Sequence, residues 1–121
     1  MIECKKCNKQ YIGETKRTLR ERFSEHRQAT NNPLHANAAA AVPSHFNLPG
    51  HSITDMGLIP LEFQPTPSAS RRKAREAYLI HRGQTISPYG INRRNEHCSL
   101  KSKHCLYCFS ITPYTYVYHV I

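Results

Sequence analysis

Acidic residues are scarce in this chain of 121 residues: eight aspartates and glutamates stand against seventeen lysines and arginines, a formal charge of +9. That imbalance disfavours a neutral-ligand pocket and favours a polyanionic partner, nucleic acid first among them. No apolar run approaches the length of a membrane span, and Met1 is followed by Glu3, Lys5 and Lys6 where a secretory leader would carry its apolar region. The expectation is a soluble intracellular chain with no membrane partner. There is no internal repeat, and the length suits one compact domain with a single modest core. The five cysteines are an odd set with two C-x-x-C pairs. Such a set suits metal binding in a reducing compartment better than a disulfide framework.

Basic residues are absent from positions 30–70, which hold two acids, whereas positions 1–29 hold eight bases and four acids and positions 71–94 seven and one. Brought together, the two basic blocks form one positive face; on charge alone they are equally well two solvated helix faces.

Met1 to Cys4 and Gln10 to Gly13 read as the strands of a hairpin, with turn chemistry at Asn8. Thr18 and Glu21 form a capping box for a helix running to about Arg27, with Leu19, Phe23 and His26 at helical spacing. Arg22 and His26, four apart, share one side of it and are expected to point at Tyr11. The alanines Ala38 to Ala41 suggest a short helix that Pro43 interrupts. Leu58 to Phe63 reads as a strand, confined by Pro60 to an edge or bulge. Ser68 or Ser70 caps a second helix ending at Gly83, and a Pro and Gly loop runs from Ser87 to Asn92. Beyond Glu96 the chain changes character, with Cys98, Cys105, Cys108 and an uncharged strand-like stretch from Phe109 to Ile121. The expected fold class is α+β: a small antiparallel sheet of about three strands flanked by helices.

Glu76 is the only acid between residues 63 and 95 and lies inside a block of cations. A phosphodiesterase needs a carboxylate for a hard divalent ion, a cation for the phosphate and a group that takes a proton from water. Glu76, Arg22 and Tyr11 or His26 could supply these. The plainer reading of Glu76 is a helix-surface ion pair with Arg72 or Arg75.

Tyr11-Ile12-Gly13, then Leu19-x-x-Arg22-x-x-x-His26, then Arg75-Glu76 and Gly90-Ile91-Asn92 together resemble the GIY-YIG nuclease family. The stretch from Glu3 to Phe23 and the segment His45-Phe-Asn-Leu-Pro-Gly-His51 look more closely like the endonuclease domain of Penelope-like retrotransposons, with its C-x-x-C between the two signature strands. The resemblance covers residues 1–96 and leaves 97–121 as an unmatched tail, for which disorder is the expectation. It implies that Tyr11 is the second signature tyrosine, Arg22 the transition-state arginine, His26 the histidine near the attacking water, Glu76 the ligand of magnesium or manganese, and Asn92 a supporting polar residue. It also implies nicking of DNA to supply a 3′ hydroxyl for target-primed reverse transcription, in the nucleus. The first signature tyrosine would fall immediately before Met1, so the domain is expected to be truncated there. The alternative from another class is a catalytically dead basic zinc module that binds nucleic acid or a partner protein.

Cys4 and Cys7 are expected to join His45 and His51 in a structural Cys₂His₂ zinc site. A four-cysteine set of Cys4, Cys7, Cys105 and Cys108, or free thiols, stay open beside it. Lys16, Arg17, Arg20, Arg71, Arg72 and Lys73 are the expected phosphate contacts. Phe23, Phe46, Phe63 and Tyr78 are assigned to the core.

Overall fold

In the computed structural model, which describes residues 1–63, 65 and 68–94, strand β1 (Ile2–Cys4) is central. It pairs antiparallel with β2 (Gln10–Tyr11) and with β3 (Met56–Leu58), giving the order β2-β1-β3. Ile2 lies opposite both Tyr11 and Leu58. Asn8 adopts the left-handed conformation in the hairpin turn, at φ 60°, a conformation asparagine tolerates better than most residues.

Helix α1 (Leu19–Asn31) starts at the expected capping box, where Thr18 Oγ1 accepts the Glu21 N–H and the Glu21 carboxylate accepts the Thr18 N–H. It runs a turn further than Arg27 because Ala29 and Thr30 continue its buried side. It stops where Asn32 precedes Pro33, since proline disfavours the helical conformation in the residue before it.

Pro43 does not interrupt a helix. It lies in the first turn of α2 (Ala41–Phe46), where a backbone N–H would have no intrahelical partner, so its absence costs little. The alanines before Ala41 form turns instead. The expected strand from Leu58 to Phe63 is also displaced: pairing occupies Met56–Leu58 and ends before Pro60, which has no N–H to donate. Phe63 is consequently 46% exposed and outside the core. Helix α3 (Ala69–Gly83) is capped by Ser68, whose Oγ accepts the Arg71 N–H, and its left-handed terminal residue is Gln84 rather than Gly83.

Ile2, Cys4, Ala41, Val42, Phe46, Met56 and Ile91 form the main core, with Tyr11, Leu19 and Phe23 packed against it. Ile12 and Ile80 form a smaller cluster between β2 and α3. No helix among the described residues is long and apolar enough to cross a membrane. Cys98, Cys105, Cys108 and the stretch from Phe109 to Ile121 lie outside the described residues, as does the rest of the tail.

The loop after α3 folds back on itself at Gly90, where an added Cβ would lie 2.1 Å from the Thr85 carbonyl oxygen. Backbone cannot yield as a side-chain tip can. Gly90→Ala is expected to destabilise the fold by about 3 kcal/mol, seen as a lower urea midpoint with an unchanged slope. A midpoint equal to wild type would show that the loop does not need this close approach.

Candidate active site and metal centre

The Tyr11 ring meets the His26 ring edge-on, with centroids 5.8 Å apart. The α1 spacing brings this about: the positions four and seven after Arg22 are His26 and Ala29, both buried, so that side of the helix faces the protein interior. Tyr11 also covers Gly13, where an added Cβ would lie 2.8 Å from Cε1 and 3.1 Å from the hydroxyl. Glycine is therefore the residue that lets the ring lie across the strand end.

Burial, reinforced by the Arg22 charge, pushes the His26 imidazole down to about 4. The ring is neutral at neutral pH, its lone pair unprotonated, and it is a weaker base than an ordinary imidazole. Because its folded value lies below the ordinary 6.5, the unfolded chain binds the extra proton between those values. The stabilisation is present above 6.5 and is lost as pH falls towards 4. Unfolding midpoints measured from pH 7 to pH 4 are expected to fall accordingly, by up to about 3 kcal/mol for this group alone. His26→Gln should flatten that dependence; an equally steep profile in the variant would place the titration elsewhere.

Glu76 does not pair with Arg72 or Arg75. Those arginines turn to Glu14, at 2.7 Å, and to Glu62. Glu76 Oε1 instead accepts the Glu14 N–H at 3.0 Å, across the loop that joins β2 to α1. Burial raises the Glu76 carboxyl above its usual range and the Glu14 carboxylate adds to this, while Arg22 and Lys73 oppose it. Its carboxylate makes no other hydrogen bond among the described residues, so Oε2 is left for a ligand. Tyr11, Arg22, His26 and Glu76 thus converge from β2, α1 and α3.

Asn92 is fully buried and acts on the strand rather than at the surface of the site. Its Oδ1 accepts the Ile12 N–H at 2.9 Å and the Thr85 hydroxyl at 2.7 Å, and its Nδ2 donates to the Ile12 carbonyl at 2.8 Å. Glu14 and Thr85 were not singled out in the sequence. The only trace of Glu14 there is its place directly after Tyr-Ile-Gly.

Of the expected phosphate contacts, Lys16, Arg20, Arg71 and Lys73 are exposed, and Arg17 is exposed while paired with Glu25 at 2.9 Å. Arg72 is corrected: it is buried, its Nε bound to Glu14. One turn before Glu76 on α3, it faces the β2–α1 loop and holds that loop in place. Tyr78 likewise lies under the Arg75 guanidinium, 4.7 Å from its ring, and is half-buried.

On the other edge of the hairpin, Cys4, Cys7, His45 and His51 bring one ligand atom each within 4.8 Å of all the others. Cys7 Sγ is 3.4 Å from His45 Nε2, and the two imidazoles stand 4.8 Å apart. His51 Nε2 is buried without a hydrogen-bond partner, alone in this among the side-chain nitrogens and oxygens of the described residues. Its Nδ1 lies 3.3 Å from the Pro49 carbonyl, which fixes a proton there and leaves the Nε2 lone pair aimed inward. Burial raises the Cys4 thiol. Burial acts the same way on Cys7, but the adjacent His51 imidazole and the neighbouring backbone outweigh it and the thiol falls below its ordinary range. A soft sulfur and nitrogen donor set with one orphaned lone pair fits a four-coordinate metal. Of the rival four-cysteine set, Cys105 and Cys108 lie outside the described residues.

The model of the GIY-YIG catalytic domain family matches residues 1–92. No curated protein and no solved structure matches the chain.

Proposed function

This chain belongs to the GIY-YIG catalytic domain family, and on that premise we propose that it is a divalent-metal-dependent endonuclease that nicks DNA, with residues 1–96 as the nuclease unit. The observation that carries the reading is the convergence of Tyr11, Arg22, His26 and Glu76 on the loop after β2. His26, neutral through burial, accepts a proton from the attacking water at a ring nitrogen, with the Tyr11 ring packed edge-on against it. Arg22 supplies positive charge where negative charge grows on the phosphate oxygens. Magnesium or manganese held by Glu76 would stabilise the departing 3′ oxygen. Asn92 keeps Tyr11 in position by fixing the backbone of the next residue, and Arg72 does the same for the loop through Glu14.

The finer assignment to the Penelope-like retroelement branch, with zinc as the structural metal, is supported by the Cys₂His₂ group. That group also favours a second reading, a basic metal module that binds nucleic acid without cutting. Supercoiled plasmid incubated with the protein, with and without added Mg²⁺ or Mn²⁺, separates the two: nicked circles that form only when the ion is added are expected. Binding without nicking under every divalent ion would leave the second reading. Affinity for duplex DNA is expected to fall with salt on a log-log slope of about −0.9 per phosphate neutralised. A flat salt response would point to a protein partner instead.

A further inference from the structure

We propose that the outer side of α1 is a second nucleic-acid contact, one that takes an unpaired strand rather than the duplex being nicked. Arg20, Ser24, Arg27 and Asn31 follow one another at helical spacing and are all exposed. Arg22, His26 and Ala29 form the inward stripe of the same helix. Two residues of offset place the stripes about half a turn apart, across a helix about 10 Å thick with its side chains. A phosphate on one stripe therefore cannot be the phosphate at Arg22 and His26.

The outer stripe borders an open groove of about 690 Å³, lined among others by Arg20, Phe23, Arg27, Gln28, Asn31 and Asn32. Among the described residues no carboxylate lines it. The nearby acids are engaged elsewhere: Glu21 closes the helix cap, and Glu25 binds Arg17 and Arg22. Arg20 and Arg27 are in no ion pair among the described residues, and the Arg27 guanidinium lies 5.9 Å from the centre of the Phe23 ring. Uncompensated cations, an aromatic face and several side-chain amides in one groove match the parts of a single-stranded nucleotide. Arginines meet phosphates, the ring offers a stacking surface, and amides reach base edges that pairing would otherwise occupy. A duplex presents no free base face to Phe23.

This inference rests on the nuclease reading only in taking nucleic acid as the polyanion, and its test does not need cleavage. Binding of a labelled oligothymidylate and of a blunt duplex of equal length would be measured by anisotropy for the full chain and two variants. Arg27→Gln combined with Asn31→Ala changes only exposed side chains, and Phe23→Leu keeps apolar volume while removing the aromatic face. Each is expected to weaken oligothymidylate binding by about tenfold. The first should also reduce the steepness of its salt dependence by about 0.7. Duplex affinity and the rate of plasmid nicking are expected to stay at wild-type values. Oligothymidylate binding indifferent to both variants overturns the proposal, and so does an equal loss of duplex affinity. Should Phe23→Leu fail to fold by circular dichroism, the exposed pair decides alone. Wild-type protein that binds oligothymidylate through these residues but never nicks would leave the groove standing and remove the nuclease reading.

Discussion

Glu76→Gln is expected to abolish nicking, lowering the single-turnover rate by about 10³-fold or more, while DNA binding is retained. Glutamine has the same shape, and its amide oxygen can still accept the Glu14 N–H that now bonds Oε1 at 3.0 Å. What disappears is the charge that holds a hard cation. The carboxyl is already raised by burial, so the folded protein bears a cost for keeping it ionised. Removing that charge should leave the metal-free fold as stable as wild type or slightly more so, and the positive surface should bind DNA at least as tightly. Loss of activity with undiminished stability separates a catalytic role from a structural one. Equal rates for variant and wild type in both Mg²⁺ and Mn²⁺ would remove Glu76 from the chemistry.

The second large effect concerns the Cys₂His₂ group. Purified protein is expected to carry one zinc per chain, and stripping it with a strong chelator at neutral pH should unfold the domain. Structural zinc contributes about 10 kcal/mol or more to small metal-dependent folds, comparable with the whole stability of an ordinary domain. Here the group ties the hairpin carrying Cys4 and Cys7 to α2 at His45 and to the loop at His51, and α2 supplies Val42 and Phe46 to the main core. Cys7→Ser should reproduce the chelator's effect and lose the metal. An apo protein with unchanged melting behaviour would make the four side chains a packed cluster and nothing more.

Features carried by short-range chemistry were legible in the sequence. The Thr18 and Glu21 capping box starts α1, Ser68 caps α3, and the four spacing of Arg22 and His26 fixed which side of α1 faces Tyr11. Cys4, Cys7, His45 and His51 could be named because few residue types have their ligand chemistry. Less could be read where the deciding partner lies far along the chain. Nothing near Arg72 reveals that Glu14, 58 positions earlier, takes its guanidinium. The placement of β3 depends on Gly57 passing close to Glu3, whose Cγ would be 3.0 Å from an added Cβ. Its three residues, Met56, Gly57 and Leu58, carry little strand propensity of their own. Pro43 was misjudged for another reason: proline breaks a helix interior but suits a first turn, and local sequence did not say which turn it occupied.

The Asn92 side chain holds Ile12 across 80 positions of chain, and the opening strand, β1, waits for Met56 to Leu58 before its second edge is covered. During synthesis the tyrosine of the site emerges early, yet the residue that anchors its neighbour emerges near the end of the matched region. Long-range closures of this kind form late in folding. A ribosome-bound chain short of residue 92 therefore has Tyr11, Arg22, His26 and Glu76 but lacks the Asn92 anchor beside Tyr11, so the proposed activity waits on completion of the domain.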